Sequence, residues 1–230
     1  MSNIKPEDIL FEDQHLLVLS KPAGLLSQGD SSGDTNLVDL LRVYFGRNYV
    51  GLIHRLDRNT SGLMVVAKRS KSAERLSEQL QNGTLVRKYH AILFGTLTGD
   101  QHWEHYLLKN EKTNEVRAVS ASTQGAKKSV LNVKALQNFM HPQSGDPLTL
   151  ALFELETGRS HQIRVQSAAS KLPLIGDTKY GAAKSSTLFN RPALHSSYLS
   201  FEHPMSGESL TFEQRYPSDM LDFFRLSLNM

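Results

Sequence analysis

Short apolar runs separated by polar turns fill the first third of the chain. Residues 9–20 predict two strands joined by a turn, and residues 21–24 (KPAG) end the second strand at an edge of a sheet. Residues 49–53 and 63–67 predict two more short, buried strands. The segment between them, residues 54–62, is polar and charged. Charge is therefore concentrated in a loop that joins two core strands.

Helical spacing of apolar residues predicts four helices. The first follows a loop rich in glycine, serine and aspartate, with Asp34 or Thr35 as its N-cap. The second spans residues 70–82 and ends at Gly83. The third begins at Ser160, and the fourth lies near the C terminus. The residues expected to face the core are Leu37, Leu40, Leu41, Tyr44, Ala73, Leu76, Leu80, Ile163, Val165 and Ala169.

Strands dominate the rest of the chain. Residues 106–119 predict a hairpin with its tip at 111–114, and residues 137–147 predict an exposed loop. Further strands are predicted at residues 86–94, 129–136 and 148–156 and near Tyr198 and Leu210. Strands and helices do not alternate regularly, and no repeat of fixed period is visible. The pattern therefore indicates an α+β fold with a mixed, largely antiparallel sheet.

The composition is that of a globular protein. The 230 residues are 39% hydrophobic and 21% charged, so we expect a single domain, residues 1–230, with a substantial core. No cysteine is present, which excludes disulfides, thiolate nucleophiles and cysteine-based zinc sites. The N terminus lacks the apolar run of a signal peptide, and no segment has the length and apolarity of a membrane span. A cytoplasmic protein is expected.

The charge balance permits a polyanionic partner. The net charge is +3 and the isoelectric point is about 9.0, with basic residues in several predicted loops. A metal site is not expected, because the histidines do not form a convincing ligand set. The histidines concerned are His90, His102, His105 and His203.

Asp57 lies between Arg55 and Arg58 in the charged loop. A partly buried aspartate needs a nearby cation to stay ionised, and an ionised carboxylate in a cleft can act as a nucleophile or a base. The other interpretation is that Asp57 caps Thr60 or Ser61 in a tight turn. The loop alone leaves both interpretations open.

Five segments, in order, resemble the RluA-type RNA pseudouridine synthases and together span residues 11–204. They are residues 11–25 (FEDQHLLVLSKPAGL), 54–68 (HRLDRNTSGLMVVAK), 87–89 (RKY), 157–181 (TGRSHQIRVQSAASKLPLIGDTKYG) and 191–204 (RPALHSSYLSFEHP). The resemblance implies the pseudouridine synthase fold, with an active-site cleft across its central sheet. It also implies a cofactor-free isomerisation of uridines in ribosomal or transfer RNA.

The resemblance further implies roles for single residues. It identifies Asp57 as the catalytic aspartate, Tyr89 as the active-site tyrosine, Arg164 as the ion-pair partner of the aspartate, Arg55 as the arginine that displaces the target base, and Leu194 as the floor of the pocket. A flipped uridine leaves a gap that a planar guanidinium can fill, and an aromatic ring can stack on the extruded base. A guanidinium also keeps a neighbouring carboxylate ionised. Whether Asp57 attacks C1′ or removes a sugar proton stays open.

Contacts to RNA are expected from side chains near these motifs, because basic groups hold the phosphate backbone. The further substrate-binding candidates are Lys21, His54, Leu56, Arg58, Lys88, Arg159 and His161, with Lys68 and Arg87 as additional phosphate contacts. Simple solvation at the surface is the other interpretation for each basic residue. His161 and Arg164 are three residues apart, so they are expected to project from one side of the third helix. RNA is the expected partner, and the chain is expected to be a monomer without an obligate protein partner.

The chain departs from the family pattern at three places. It begins directly at the first motif, so the small N-terminal RNA-binding domain of many relatives is expected to be missing. Residues 165–167 (VQS) stand where relatives commonly have a histidine after the valine, and residues 171–174 (KLPL) replace a more usual Gly-His-Pro-Ile. These changes affect the contacts beyond the third helix rather than the catalytic centre.

Two other functions compete with isomerisation. A nucleoside or glycoside hydrolase would need a second carboxylate to activate water, and the nearest candidates, Glu154 and Glu156, form no paired motif. A catalytically inactive RNA-binding protein or RNA chaperone would not require Asp57, Tyr89 and Arg164 together. The sequence therefore favours the synthase over both.

Overall fold

The computed structural model describes residues 4–141 and 143–228. The chain forms two compact units, the first from Met1–Arg87 and Ser196–Arg215 and the second from Lys88–His195 and Tyr216–Met230. After a short 3-10 turn at Pro6–Asp8, the elements are β1 (Ile9–Glu12), β2 (Leu16–Lys21), α1 (Leu37–Phe45), β3 (Gly51–Leu52), β4 (Ser61–Ala67), α2 (Ser70–Asn82), β5 (Val86–Phe94), β6 (Gln101–Asn110), β7 (Glu115–Val119), β8 (Lys127–Met140), β9 (Pro147–Leu155), α3 (Gln162–Ala169), α4 (Ala183–Ser186), β10 (Leu194–Glu202), β11 (Ser209–Glu213) and α5 (Ser218–Leu228).

The first unit is built around β4. The strand order is β1-β2-β4-β10, with β11 paired to β10 and β3 paired to β4. All seven residues of β4 are buried, because other strands and helix α2 enclose this strand. The core residues of the unit are Leu16, Val18, Ile53, Leu63, Val65, Ala67, Leu76, Leu85, Leu199 and Phe201. A fully buried strand of this kind gains most of its stability from burial rather than from strand propensity.

The second unit has the strand order β5-β9-β8-β6-β7, and each neighbouring pair is antiparallel. Helix α5 packs on this sheet through Met220 and Phe224, which join a buried cluster with Ile92 and Phe139. Strands outnumber helices in both units, and strands and helices do not alternate regularly along the chain. The expected α+β class with largely antiparallel pairing is confirmed.

The predicted exposed loop at residues 137–147 is wrong at its two ends, because residues 137–140 belong to β8 and Pro147 begins β9. Strand β8 continues to Met140, and Phe139 is buried opposite Leu148. The pairing register shifts between Ala135 and Gln137. A bulge of this kind interrupts the two-residue alternation of apolar positions, so the sequence pattern ends before the strand does.

Two helix starts also differ from prediction. Helix α1 is capped by Asn36, whose side chain accepts a hydrogen bond from the Asp39 amide at 3.1 Å, and not by Asp34 or Thr35. Helix α3 begins after His161, which is in the left-handed region at φ 53°, so Ser160 is not its N-cap. The expectation that Tyr44 and Ala169 face the core is wrong, because both residues are exposed. The bounds of α2 and the left-handed Gly83 after it are as predicted.

Two hairpin loops, one in each unit, share sequence and geometry. Residues 139–150 (FMHPQSGDPLTL) and 201–212 (FEHPMSGESLTF) match at Phe, His, Pro, Ser, Gly, Leu and Thr. Nδ1 of His141 and of His203 accepts a hydrogen bond from the serine amide three residues later, at 3.1 and 3.0 Å. In both loops the amide of this histidine donates to the carbonyl of the acidic residue at 2.7 Å. The repeated motif therefore encodes one hairpin geometry twice.

None of the helices in the described part of the chain has the length and apolarity that spanning a bilayer requires.

His54 anchors the start of the charged loop to the core of the first unit. Its ring is buried, and Nε2 accepts a hydrogen bond from the Val65 amide at 3.2 Å. Burial, together with the positive charge of Arg87, lowers the pKa of His54 from 6.5 to about 3. The imidazole is therefore neutral, as its acceptor role at Nε2 requires. In the second unit, burial alone lowers the pKa of His90 to about 4.

Gly62 closes the other end of the same loop. Its φ is +115°, and a Cβ atom there would overlap the carbonyl oxygen of Ser196 and lie 2.7 Å from the Ser196 amide nitrogen. The close approach lets the Ser196 hydroxyl donate to the Leu63 carbonyl at 3.1 Å. Only glycine satisfies both the backbone angle and the spacing.

Replacing Gly62 with alanine should lower the free energy of unfolding by about 2–4 kcal/mol, because a positive φ and a backbone overlap act together. Gly33→Ala is the matched control, since Gly33 also has a positive φ, +72°, but a Cβ there meets no atom within 4 Å. Urea unfolding of the two variants measures the difference. Equal losses of stability would show that the overlap with Ser196 relaxes without cost.

Stability should fall as the pH drops below about 6.5, with a contribution from His54 of about 1.4 kcal/mol per pH unit. The unfolded chain binds a proton on His54 below pH 6.5, whereas the folded chain does so only near pH 3. The stability due to the neutral ring is therefore complete above pH 6.5 and is lost as the pH falls towards 3. His54→Gln retains an acceptor and should reduce the slope between pH 6 and pH 4 by that amount.

His90→Gln gives an independent comparison in the second unit, because the folded pKa of His90 is also depressed. The double variant should lose both contributions additively. Thermal unfolding in a pH series measures the slopes, and an unchanged slope for His54→Gln would contradict the assignment.

Candidate active site

The loop between β3 and β4 carries Asp57 in a tight turn. The Thr60 amide donates to the Asp57 carbonyl at 3.0 Å, so the backbone closes the turn. Asp57 itself is half-buried, and Thr60 and Ser61 are buried. A tight turn at Asp57 is therefore present, and the hydrogen bond that closes it comes from the backbone. Because the backbone closes it, a tight turn at Asp57 is compatible with a chemical role for the side chain.

Ser27 fixes the residue that precedes Asp57. The Ser27 hydroxyl donates to the carbonyl of Leu56 at 2.6 Å and accepts a hydrogen bond from the Leu56 amide at 3.1 Å. Both residues are buried. Leu56 thus serves as a locked backbone position, and burial of its side chain argues against the predicted contact with RNA. The sequence analysis missed Ser27, which lies in the glycine- and serine-rich segment before α1.

Lys21 fixes the residue that follows Asp57. Its ammonium group donates to the carbonyls of Pro22, Leu25 and Arg58 at 2.9, 2.7 and 3.1 Å. The side chain is fully buried, and β2 lies between β1 and β4 rather than at a sheet edge. The predicted edge position and phosphate contact of Lys21 are therefore wrong. A second bond, from the Gly24 amide to the Arg58 carbonyl at 2.8 Å, joins the same two segments.

The two arginines beside Asp57 differ in their surroundings. Arg55 is exposed, whereas Arg58 is half-buried and forms an ion pair with Asp34. The hydrogen bond from Arg58 holds the pKa of Asp34 below its usual range. Because Asp34 is exposed, this pair contributes little to stability and can exchange with a phosphate group. Of the predicted site residues, His54, Leu56 and Arg58 lie on the loop of Asp57, and Lys21 contacts this loop from the end of β2. Lys21, His54 and Leu56 are in buried, structural positions.

Strand β5 carries two predicted site residues on opposite faces. Tyr89 is 4% exposed and lies opposite Phe153 on β9, so its ring packs on the inner face of the sheet. Lys88 faces the other way and pairs with Glu154 at 3.0 Å. Glu156 accepts a hydrogen bond from Asn132 at 2.9 Å. Each carboxylate that a hydrolase could have used thus has a structural partner of its own.

Arg164 on α3 is held by a buried carboxylate. Its Nε and Nη2 donate to the two oxygens of Asp177 at 2.7 and 2.8 Å, a bidentate arrangement. Burial by itself raises the pKa of Asp177, but the hydrogen bonds and charge of Arg164, with the amides of Tyr180 and Lys179, lower the pKa below its usual range. The guanidinium plane of Arg164 is therefore fixed. The predicted pairing of Arg164 with Asp57 stays a prediction.

Tyr180 joins the residues around α3. Its hydroxyl lies 2.6 Å from Nδ1 of His161 and accepts a hydrogen bond from the Val116 amide at 3.1 Å. The guanidinium carbon of Arg164 lies 5.0 Å from the centre of the Tyr180 ring. His161 and Arg164 therefore both contact Tyr180, although His161 precedes the helix. The sequence analysis missed Asp177 and Tyr180, which stand in the quoted GDTKYG sequence.

The remaining predicted residues lie nearby in the second unit. Arg159 is exposed, and its Nε donates to the Lys128 carbonyl at 3.2 Å, so its first role is to order the loop before α3. Leu194 is buried at the start of β10, and its carbonyl accepts a hydrogen bond from Arg191 at 3.2 Å. No cluster of three or more histidine, aspartate or glutamate side chains suited to a metal occurs within residues 4–141 and 143–228.

Comparison with known proteins gives consistent matches. The sequence model described as RNA pseudouridylate synthase matches residues 15–169. A relative named uncharacterized RNA pseudouridine synthase YlyB, from Bacillus subtilis, is 37% identical over 225 residues, which are 94% of this chain and 71% of the relative. The ribosomal large subunit pseudouridine synthase D of Vibrio cholerae is 33% identical, covering 94% of this chain and 69% of its own length.

The fold has solved counterparts as well. The structure named human RNA pseudouridylate synthase domain containing 1 superposes with a TM-score of 0.74 at 24% identity, over 90% of this chain and 82% of its own. The structure named human RNA pseudouridylate synthase domain containing 4 superposes with a TM-score of 0.76 at 20% identity, over 96% of this chain and 92% of its own. The fold is therefore that of pseudouridine synthase domains. Since the family's sequence model covers most of the chain and relatives above 30% identity span it, the protein belongs to the RNA pseudouridylate synthase family.

Proposed function

We propose that this RNA pseudouridine synthase acts on ribosomal RNA and that Asp57 starts the reaction. The observation that carries the proposal is the immobilisation of Asp57. Ser27 holds the residue before it, and Lys21 holds the residue after it. Catalytic groups need a fixed geometry. A loop whose backbone is held by buried polar side chains is therefore typical of an active site.

Ribosomal RNA is preferred over transfer RNA as the substrate. Relatives from Vibrio, Zymomonas and Escherichia, at 32–33% identity, are named ribosomal large subunit pseudouridine synthase D. Others from Bacillus are named only for RNA. The named substrate of the first group supports the assignment, and transfer RNA remains the comparison substrate in the experiment below.

The chemistry is an isomerisation without a net change of atoms. The bond between N1 and C1′ of uridine breaks, the uracil turns, and C5 joins C1′. The proton on C5 then leaves, and N1 carries a hydrogen in the product. Asp57 begins this sequence by attack at C1′ or by removal of a sugar proton. No water enters, so a second carboxylate is not required.

The target uridine must leave the RNA stack before it can react. Arg55 is exposed beside Asp57 and has the planar, charged side chain that can occupy the vacated position. Tyr89 has an aromatic ring of the kind that stacks on an extruded base, and because only 4% of this residue is exposed, the role requires the ring to become accessible when RNA binds. Lys21, His54 and Leu56 act in this proposal as supports of the Asp57 loop rather than as contacts to RNA.

Arg164 keeps Asp57 ionised in this proposal, and Asp177 and Tyr180 aim its guanidinium group. Two bonds to Asp177 fix the plane of the guanidinium, and the Tyr180 ring lies beside it. A cation held in this way stabilises a carboxylate without moving during the reaction. Asp177 and Tyr180 are therefore positioning residues rather than catalytic ones.

Asp57→Asn should reduce pseudouridine formation on the order of a thousandfold or more, because the amide can neither attack C1′ nor accept the sugar proton. The measurement is release of tritium from uridine labelled at C5, in unmodified ribosomal RNA and, separately, in transfer RNA. Asp34→Asn is the control and should stay within about threefold of wild type, since an exposed ion pair contributes little.

Other outcomes of the same assay have definite meanings. Free uracil among the products would identify a hydrolase. Binding of RNA without release of tritium from either ribosomal or transfer RNA would identify an RNA-binding protein without activity. Full turnover by Asp57→Asn would exclude the carboxylate as the initiating group.

Asp177→Asn should lower kcat by about ten- to a hundredfold with little change in KM, because a misaligned Arg164 affects the reacting carboxylate more than RNA binding. Asp219→Asn is the matched control. It breaks the comparable bidentate pair of the same unit, from Arg191 at 2.7 and 3.0 Å. Asp219→Asn should lower the stability of the protein but leave kcat unchanged at temperatures at which the variant is folded. Equal kcat values for the two variants would assign Asp177 a purely structural role.

A further inference from the structure

A cluster of exposed side chains at the end of α1 has no role in the mechanism above. Val43 is 79% exposed, Tyr44 46% and Tyr49 41%. Single exposed apolar residues are common on protein surfaces, but three within seven positions form a patch. This patch, together with Phe45 and Arg47, is called the tyrosine surface below.

The tyrosine surface is held in a defined conformation. The Tyr44 hydroxyl donates to Glu12 at 2.8 Å, which fixes the direction of the ring. Gly46 ends the helix in the left-handed region, and the Arg47 amide donates to the Arg42 carbonyl at 3.1 Å. The Arg42 side chain in turn donates to the Asn48 carbonyl at 3.1 Å. A ligand would therefore meet a Tyr44 ring that is already ordered, which reduces the entropy lost on binding.

Positive charge converges on the same place. The Arg47 guanidinium lies 5.4 Å and the Lys68 ammonium 5.3 Å from the centre of the Phe45 ring. Lys68 pairs with Glu12 at 2.7 Å. Arg47 pairs with no acidic side chain in the described part of the chain, and its Nε is buried without a hydrogen-bond partner there. Among the described residues, no carboxylate therefore neutralises the charge of Arg47 on the tyrosine surface.

The tyrosine surface is separate from the Asp57 loop within the first unit. Strand β3, which follows Tyr49, pairs with the Ala67 end of β4, whereas the Asp57 loop enters β4 at Ser61. The length of β4 places these ends roughly 20 Å apart, at about 3.3 Å per residue. The tyrosine surface therefore cannot hold the target uridine, and any RNA on it lies away from the reacting nucleotide.

We propose that the tyrosine surface binds a single-stranded segment of the substrate RNA outside the target nucleotide. The inference rests on the proposed function, which supplies the RNA. Exposed aromatic rings stack on unpaired bases of any sequence, and neighbouring cations hold the phosphates. A second copy of this chain fits less well, because a symmetric contact would bring the unpaired Arg47 near its own copy.

The test measures binding of a fluorescein-labelled twelve-nucleotide oligouridylate by fluorescence anisotropy. Replacing Tyr44 and Tyr49 together with alanine should weaken binding at least about fivefold, because stacking is lost. Replacing both with phenylalanine retains the rings and should leave affinity within about twofold. Arg47→Gln should weaken binding and reduce the slope of log affinity against log salt by about 0.7, the value for one phosphate contact on a single strand.

Leu136→Ala with Met140→Ala is the surface control, since both residues are exposed on β8 of the second unit. These substitutions should leave oligouridylate binding unchanged. Circular dichroism melts of all variants establish that each is folded at the assay temperature. The phenylalanine pair keeps the test decisive if the alanine pair fails to fold, because Arg47→Gln can then be compared with it.

Failure of this inference is distinguishable from failure of the proposed function. If the alanine pair and Arg47→Gln bind oligouridylate like wild type while wild type releases tritium from RNA, the tyrosine surface does not bind RNA. If wild type releases no tritium from any RNA, the proposed function fails instead, and the substrate-RNA inference fails with it. A wild-type dimer in sedimentation velocity that the alanine pair abolishes would assign the surface to a second copy and overturn the inference.

Discussion

Removing the ammonium group of Lys21 from water costs several kcal/mol, and three backbone carbonyls offset this cost. The arrangement requires the segment after β2 and the segment around Asp57 to meet, because one carbonyl comes from Arg58. If either segment moved, a buried charge would lose a partner. The position of the Asp57 loop in the first unit is therefore tied to a large electrostatic penalty rather than to weak surface contacts. The neutral ring of His54 and the absence of a side chain at Gly62 fix the two ends of the same loop.

The second unit uses a different solution for Arg164. Here the charged group is partly accessible, and a buried carboxylate, Asp177, holds it in a plane. Tyr180 adds a ring and connects this region to Val116 and His161. The contrast follows from chemistry. A lysine ammonium can donate hydrogen bonds to several carbonyls from different directions, whereas a guanidinium needs a flat partner that accepts at two points. Each cation thus occupies the environment that its geometry requires.

The sequence predicted the elements whose patterns are regular and local. Helix α2 and strand β5 have the predicted bounds, because uninterrupted periodicity and a terminal Gly83 mark them. The end of β8 was not predictable, since the shift between Ala135 and Gln137 breaks the alternation. The structural roles of Lys21 and Ser27 were also hidden. Both depend on partners about thirty or more residues away, and a lysine beside a proline gives no local sign that it is buried. The resemblance pointed to Asp57 and Arg164, but only geometry revealed Asp177 and Tyr180 as supports.

The repeated hairpin has a consequence for how the chain folds. All the hydrogen bonds described for it join residues within six positions of one another, so closing it requires little loop entropy. Strand β2 instead pairs with β4 through residues that are 41 to 51 positions apart in sequence. Contacts of short sequence separation form faster than distant ones. The β8–β9 and β10–β11 hairpins are therefore expected to form early in folding. Each fixes its own strand register before strands that are distant in sequence pair.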